Sequence, residues 1–280
     1  MTAVVVSGLT KSYGDHEALR GIDFTIEGGE VFGLLGPNGA GKTTTVEILE
    51  GYRERDAGTV EVLGVDPQRS GTAWRERIGV MLQSSSLYPS LTVRESLRTF
   101  AGYYAHPRDP AEVIEIVELT EKADARVRTL SGGQKRRLDL GLALVGDPEL
   151  VFLDEPTTGF DPGARRTAWQ TIRNLRALGK TILLTTHYLD EAEQLADRVA
   201  VLRGGEIIRE GTPAELTGGS VETEIRFRRN GGEEVVERTR DPTRRLHELT
   251  AAALAAGEEL DALEVRRPTL EDVYLELTRE

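Results

Sequence analysis

Apolar positions along the chain keep two rhythms, and each predicts a different kind of sheet. Near-continuous runs rich in Val, Ile and Leu recur at 30–36 (EVFGLLG), 78–82 (IGVML), 150–154 (LVFLD), 181–186 (TILLTT) and 198–202 (RVAVL). Successive strand side chains point to opposite faces. A run apolar at every position therefore suits a strand covered on both sides, as in a parallel α/β sheet. Residues 2–28 instead alternate apolar and polar, as does TVEVLG at 59–64, and these predict antiparallel strands. VAVLRGGEIIREG, turning on Gly204-Gly205, predicts a hairpin.

Between Gln83 and Leu130 the spacing becomes helical. Thr92-Val93-Arg94-Glu95 has the form of a capping box, and AEVIEIVELT (111–120) repeats its apolar residues at helical intervals. This predicts a helical subdomain, about 84–130, inserted between two strands of the sheet. A composition break at GTPAELTGGS (211–220) predicts a linker. Beyond it, VETEIRFRR and EEVVERTR predict strands, TRRLHELTAAALAAGEEL a helix, ALEVRRP a third strand and TLEDVYLELTRE a closing helix. The expected division is a large domain over 1–215 and a small accessory αβ domain over 221–280. About sixty residues make a domain of marginal stability unless it packs on something.

Composition narrows the function. The chain of 280 residues is 39% hydrophobic and 29% charged, the balance of a water-soluble globular protein. It has no cysteine, which excludes disulfides and thiolate metal sites. A net charge of −12 argues against a nucleic-acid partner, which calls for a surplus of Lys and Arg. MTAVVVSGLTKSYG lacks the basic start and long apolar run of a signal peptide. No apolar run approaches the ~20 residues of a membrane span. Any work at a membrane is expected from outside the bilayer.

The chemistry begins at Gly36-Pro37-Asn38-Gly39-Ala40-Gly41-Lys42-Thr43, which fits G-x-x-x-x-G-K-[ST] without mismatch and is followed by Thr44. The glycines let backbone N–H groups turn inward around phosphates, and the helix starting near Gly41 aims its positive end at them. Lys42 is the candidate for the β- and γ-phosphates and the Thr43 hydroxyl for Mg²⁺. A dinucleotide G-x-G-x-x-G fails, because position 44 is threonine. Asp154 and Glu155 close the run 150–153, where a strand-end acid handles phosphate-bound Mg²⁺ and the next residue orients or deprotonates an attacking water. His187 follows TILLTT, a strand expected beside the one carrying Asp154, so its ring is a candidate partner of the γ-phosphate. His16, His106 and His247 carry no such context.

With these residues in place the chain resembles the ATP-binding subunits of ABC transporters, in order, over residues 2 to about 215. The resemblance implies an α/β fold, a P-loop cassette with a mixed-sheet core, an antiparallel β subdomain and the helical insert. It implies that Tyr13 stacks on adenine and that Gln83, in the Q-loop, meets Mg²⁺ and the attacking water. Leu130 followed by Ser131, Gly132, Gly133 and Gln134 is the family's signature turn, which binds the γ-phosphate of the ATP held by a second subunit. Gly132 and Gly133 permit close approach, and the following helix offers its N-terminus to an anion. Asp161 is implied to couple the two sites. The loop reads GFD where the family usually has GLD, so Phe160 is expected to alter packing there.

The resemblance therefore implies an ATPase with ATP and Mg²⁺ as ligands, closing as a homodimer on ATP at the cytoplasmic face of the membrane. Its transmembrane permease is expected on a separate chain. GTPAEL and the ending TLEDVYLELT resemble drug- and antibiotic-export subunits of the daunorubicin-resistance type. A non-transport ATPase with the same cassette, or an importer subunit, are the alternatives. The permease is expected in the groove beside QSSSLYPSLTVRE, against Leu87, Tyr88, Leu91 and Val93. The basic run Lys135-Arg136-Arg137 is expected to be a solvated helix face.

Overall fold

The structure, a computed structural model, describes residues 1–81, 87–217, 223–266, 269, 270, 272 and 274. It divides into two compact units, Met1–Glu210 and Gly211–Glu280.

The first unit runs β1 (Thr2–Tyr13), β2 (His16–Glu27), β3 (Val31–Leu35), α1 (Lys42–Leu49), β4 (Ala57–Val62), α2 (Thr72–Arg75), β5 (Ile78–Met81) and α3 (Val93–Ala101). It continues with α4 (Pro110–Ile116), α5 (Gly132–Leu144), β6 (Leu150–Asp154), α6 (Pro162–Ala177), β7 (Thr181–Thr186), α7 (Leu189–Leu195), β8 (Arg198–Arg203) and β9 (Glu206–Gly211). A six-stranded sheet has the order β5-β6-β7-β3-β8-β9. From β5 to β8 its strands are parallel. Every residue of β3, β6 and β7 is buried, as their unbroken apolar runs require. β8 turns into β9 through Gly204 and Gly205, both at positive φ (55° and 82°), the geometry a two-residue hairpin favours.

The alternating segments form a second, antiparallel sheet, β2-β1-β4. Its inward residues, including Val4, Ile22 and Phe24, pack with Phe32, Leu34 and Phe152 of the large sheet. The other face of the large sheet meets the helical insert, where Leu97 of α3, Val113 of α4 and Leu138 of α5 join Val151 and Leu184. Thr92 makes the full capping box with Glu95 that its sequence predicts. The helix expected over 111–120 stops earlier, at Ile116. Glu118 takes a left-handed φ of 54°, and the turn carries Leu119 into the core at 1% exposure.

The second unit contains α8 (Pro213–Leu216), β10 (Thr223–Arg229), β11 (Glu234–Thr239), α9 (Pro242–Ala256) and β12 (Leu260–Arg266). Its antiparallel sheet has the order β11-β10-β12. Ile225 and Phe227 of β10 pack with Leu249 of α9 in its small core. α9 begins at the Asp241 cap with Pro242 and ends where Gly257 turns left-handed (φ 67°), short of the expected GEEL. The closing helix predicted over 269–280 lies mostly outside the described residues. Among the described residues no helix is long and apolar enough to cross a membrane.

Candidate nucleotide site

β3 delivers the chain into the phosphate loop at Gly36, and α1 begins at Lys42. Two glycines are required by contact. A Cβ on Gly36 would sit 2.3 Å from the Leu202 carbonyl oxygen, and one on Gly41 would sit 2.7 Å from that of Ala18, at a φ of 108°. Lys42 is buried, and its Nζ donates to the carbonyls of Gly36 (2.7 Å) and Pro37 (3.1 Å). Burial lowers its pKa, against the pull of Glu155 and Asp154. A cleft of about 390 Å³ opens over the loop, with Asn38, Gly39, Thr43 and Thr44 on one side and Glu155 among its lining residues. Ala40 lies beneath it, in the core. Tyr13, at the end of β1, lines the same cleft and is 40% exposed. Arg53 lies 5.1 Å from its ring centroid and is itself tied to Glu47 of α1 at 2.6 Å.

β7 lies beside β6, with Asp154 opposite Thr185. The Thr185 hydroxyl donates to Asp154 Oδ1 and accepts from the Glu155 amide (3.0 Å), so one side chain holds both acidic residues. Glu155 has a left-handed φ of 45°, which turns it off the strand. Its Oε1 meets His187 Nδ1 at 3.2 Å and Lys42 Nζ at 4.0 Å, and its Oε2 accepts from the Thr158 hydroxyl at 3.1 Å. Buried Glu155 thus meets buried Lys42 and the more exposed His187, with buried Asp154 next to it at the end of β6. Burial raises the Asp154 pKa, with the Glu155 charge adding to it and the Thr185 hydroxyl opposing.

The Asp154 and Glu155 carboxylates here face the charges of Lys42 and Arg136. Among the described residues no group of three or more His, Cys, Asp or Glu could cage a metal. The donors present, the Thr43 hydroxyl and the Asp154 carboxylate, are hard oxygens. They fit Mg²⁺, which keeps waters and takes substrate phosphate oxygens in place of an all-protein shell. Gln83, expected at this position, lies outside the described residues.

The signature turn lies elsewhere. Ser131 caps α5 in a full capping box with Gln134, leaving Gly132 and Gly133 in the first turn. This turn lines a second cleft, of about 460 Å³, together with Phe160 and Asp161. Asp161 caps α6, accepting from the amides of Gly163 (2.9 Å) and Ala164 (3.0 Å). Among the described residues none lines both clefts.

Two expectations are corrected. Val93 has no exposed surface and Leu87 packs on the core, so of the apolar residues expected at the groove only Tyr88, at 59%, is well exposed. Val93 was misplaced because α3 turns that face inward from its first residue. Among the described residues, Glu50, Tyr52, Phe100 and Tyr104 line the groove between sheet and insert, of about 580 Å³. Nor are Arg136 and Arg137, in the run Lys135-Arg136-Arg137, a solvated face. Arg136 turns inward and donates to the carbonyls of Asp154 (2.8 Å), Glu155 (3.2 Å) and Pro156 (3.4 Å), while Arg137 donates to the Glu118 carbonyl (2.9 Å).

Thr185 and Glu191 were not singled out from the sequence. Glu191 is fully buried and accepts from Thr157 (2.8 Å) and Trp169 (3.1 Å), tying α7 to the loop after β6. The available signal was a polar pair, Thr185-Thr186, ending an otherwise apolar strand.

Comparison with known proteins agrees with this geometry. The ABC transporter family model matches residues 19–158. A Nod factor export ATP-binding protein I of Rhizobium etli is 40% identical over 99% of this chain and 94% of its own length. A daunorubicin resistance ATP-binding protein of Streptomyces coeruleorubidus is 42% identical over 99% and 96%. The solved structure of an ATP-binding subunit of an ABC transporter matches in fold over 99% of this chain and all of its own (TM-score 0.72, 24% identity). A dimeric post-hydrolysis ATP-binding cassette bound to ADP and Pi covers 75% of this chain and 98% of its own (TM-score 0.67, 26% identity). The chain is an ATP-binding, ATP-hydrolysing cassette and belongs to the ABC transporter family.

Proposed function

We propose that this chain powers an exporter whose membrane-spanning part is a separate polypeptide, and that two copies close head to tail on two ATP molecules. The observation that carries the reading is the division of phosphate-binding features between two clefts. The phosphate loop and Glu155 line one, and Ser131–Gln134 with Asp161 line the other. A chain that used both loops on its own ATP would bring them into one cleft. A second copy supplies the missing half of each site, and Asp161, in the same cleft as the signature turn, couples the two.

In each site Tyr13 stacks on adenine, and the backbone of Gly36–Thr44 with Lys42 cradles the phosphates. Thr43 and Asp154 hold Mg²⁺, with Gln83 assigned to the same ion and to the water on the resemblance alone. Bound there, Mg²⁺ neutralises charge on the β- and γ-phosphates. Glu155 takes a proton from water as its oxygen attacks the γ-phosphorus, and the bond to the β–γ bridging oxygen breaks to release ADP. His187, beside Glu155, is the hydrogen-bond partner of the γ-phosphate.

The relatives' export names support export of a drug-, antibiotic- or lipid-like molecule, from the cytoplasmic face of the membrane. The groove lined by Tyr52, Phe100 and Tyr104 receives the permease. The accessory domain, 221–280, supports packing of the dimer.

Glu155→Gln tests the engine. It keeps the side chain's shape but removes the base, so mass in solution should shift from monomer to dimer only with Mg-ATP. A folded protein that binds ATP yet stays monomeric would exclude the homodimer.

A further inference from the structure

The chain carries a contact that joins its two separate clefts, and it runs through Arg136. β7 follows β6 to Asp154–Thr185, and there the chain leaves the strand and enters the acidic residues. Buried carbonyls without donors are costly. The Arg136 guanidinium supplies donors to three in succession, on Asp154, Glu155 and Pro156. Its planar fork suits that row, where the single ammonium of a lysine would reach fewer. Burial lowers its pKa, opposed by the carboxylates of Asp139, Asp154 and Glu155.

The Glu155 main chain is thereby gripped from both sides. Thr185 holds its amide through hydroxyl and carbonyl (3.0 and 3.2 Å), and Arg136 holds its carbonyl. A non-glycine residue at φ 45° costs on the order of 1 kcal/mol and persists only where neighbours over-determine it. Arg136 also stands little more than one turn into α5, the helix whose first residues are the signature turn. One rigid element therefore touches one nucleotide cleft with its N-terminus and the acidic residue of the other with a side chain.

We propose that Arg136 is a positioning residue for hydrolysis, transmitting engagement of this chain's signature turn by one ATP to the Glu155 that acts on the other. The inference rests on the reading of Glu155 as base and of the signature turn as the partner's phosphate site. A displacement of α5 moves the Glu155 carbonyl with it, and so sets the carboxylate against Lys42 and His187.

The test compares Arg136→Met, which keeps length but removes every donor, with Arg136→Lys, using steady-state ATPase rates of the full chain against ATP concentration. Arg136→Met should lower kcat at least tenfold, leave KM within threefold and reduce the Hill coefficient toward one. Arg136→Lys should recover at least a third of the lost rate, because it restores a cationic donor. A kcat for Arg136→Met within twofold of the parent overturns the inference, as does a rise in KM without a fall in kcat. Equal loss in the Met and Lys variants also overturns it, since the donor would then not be the cause. If Arg136→Met does not fold, Arg136→Lys against Arg136→Gln decides by the same kcat criterion. Glu155→Gln, assayed alongside, separates the two failures: ATPase retained there removes the assignment of the base, whatever Arg136 does.

Discussion

Thr185→Val is the substitution whose effect is most directly fixed by the geometry. Valine replaces threonine with almost no change in shape, at a site with no exposed surface, so no cavity forms. What is lost is one hydroxyl with two bonds, to the Asp154 carboxylate and from the Glu155 amide. A hydrogen bond to a charged group contributes about 1.5–3 kcal/mol. The second loss is smaller, because the Glu155 amide keeps the Thr185 carbonyl at 3.2 Å. A net loss of about 2 kcal/mol follows, which for a domain of this size lowers Tm by about 4–8 °C. The rate should suffer more than the fold. Freed of its hydroxyl tie, the Glu155 backbone loses one of its restraints, and a misplaced base costs about tenfold or more in kcat. Thermal unfolding by circular dichroism and ATPase assays read the two effects separately, with Thr185→Ser as the control that restores the hydroxyl. A Thr185→Val protein that melts within about 1 °C of the parent and keeps its kcat would refute the assignment of Thr185 as the common anchor.

Three further outcomes are expected. Lys42→Ala should weaken ATP binding at least tenfold by equilibrium fluorescence of a labelled nucleotide, since it removes the ammonium that faces Asp154 and Glu155; unchanged affinity would dismiss the loop as the phosphate site. Glu50 is pushed up from 4.5 to about 8 by burial, with the Asp154 and Glu47 charges adding. Between those values the folded chain holds a proton that the unfolded chain has lost, so stability falls as pH rises through the window. Glu50→Gln should flatten that decline and raise Tm near pH 8, by on the order of 1 kcal/mol of added stability; parallel melting profiles for the two proteins would contradict it. Tyr52→Glu, at an 80% exposed site on the groove, should abolish transport in the intact system while isolated ATPase activity stays within about twofold, and transport that persists would move the permease elsewhere.

How much of this was legible in the sequence varied with how local the cause was. The parallel strands were plain because burial on both faces forces an unbroken apolar run, as at 150–154 and 181–186. The capping box at Thr92 and the phosphate loop were equally plain, since each is closed by residues three to seven apart. The end of α4 was not, because nothing in the composition of Glu118 announces a left-handed turn. Val93 and Arg136 were misread for a related reason. Whether an apolar or a basic residue near a helix start faces water depends on what packs there, and for Arg136 that is a row of main-chain carbonyls from residues 154–156. Thr185 was concealed in an otherwise apolar strand, where a buried hydroxyl signals a partner but does not name it.

Three of the acceptors Arg136 meets are main-chain oxygens, and this has a bearing on how the cassette could diverge. A side-chain partner can be exchanged by mutation, so a salt bridge tends to leave paired changes at its two positions. A carbonyl is present whatever residue carries it. Substitutions at the side chains of 154–156 alter the charge that Arg136 faces but leave these three hydrogen bonds in place, so the hydrogen bonds themselves would leave no covarying pair in a set of related sequences. Their trace should be one-sided, a restriction at 136 to side chains long enough to bring an N–H to the end of β6.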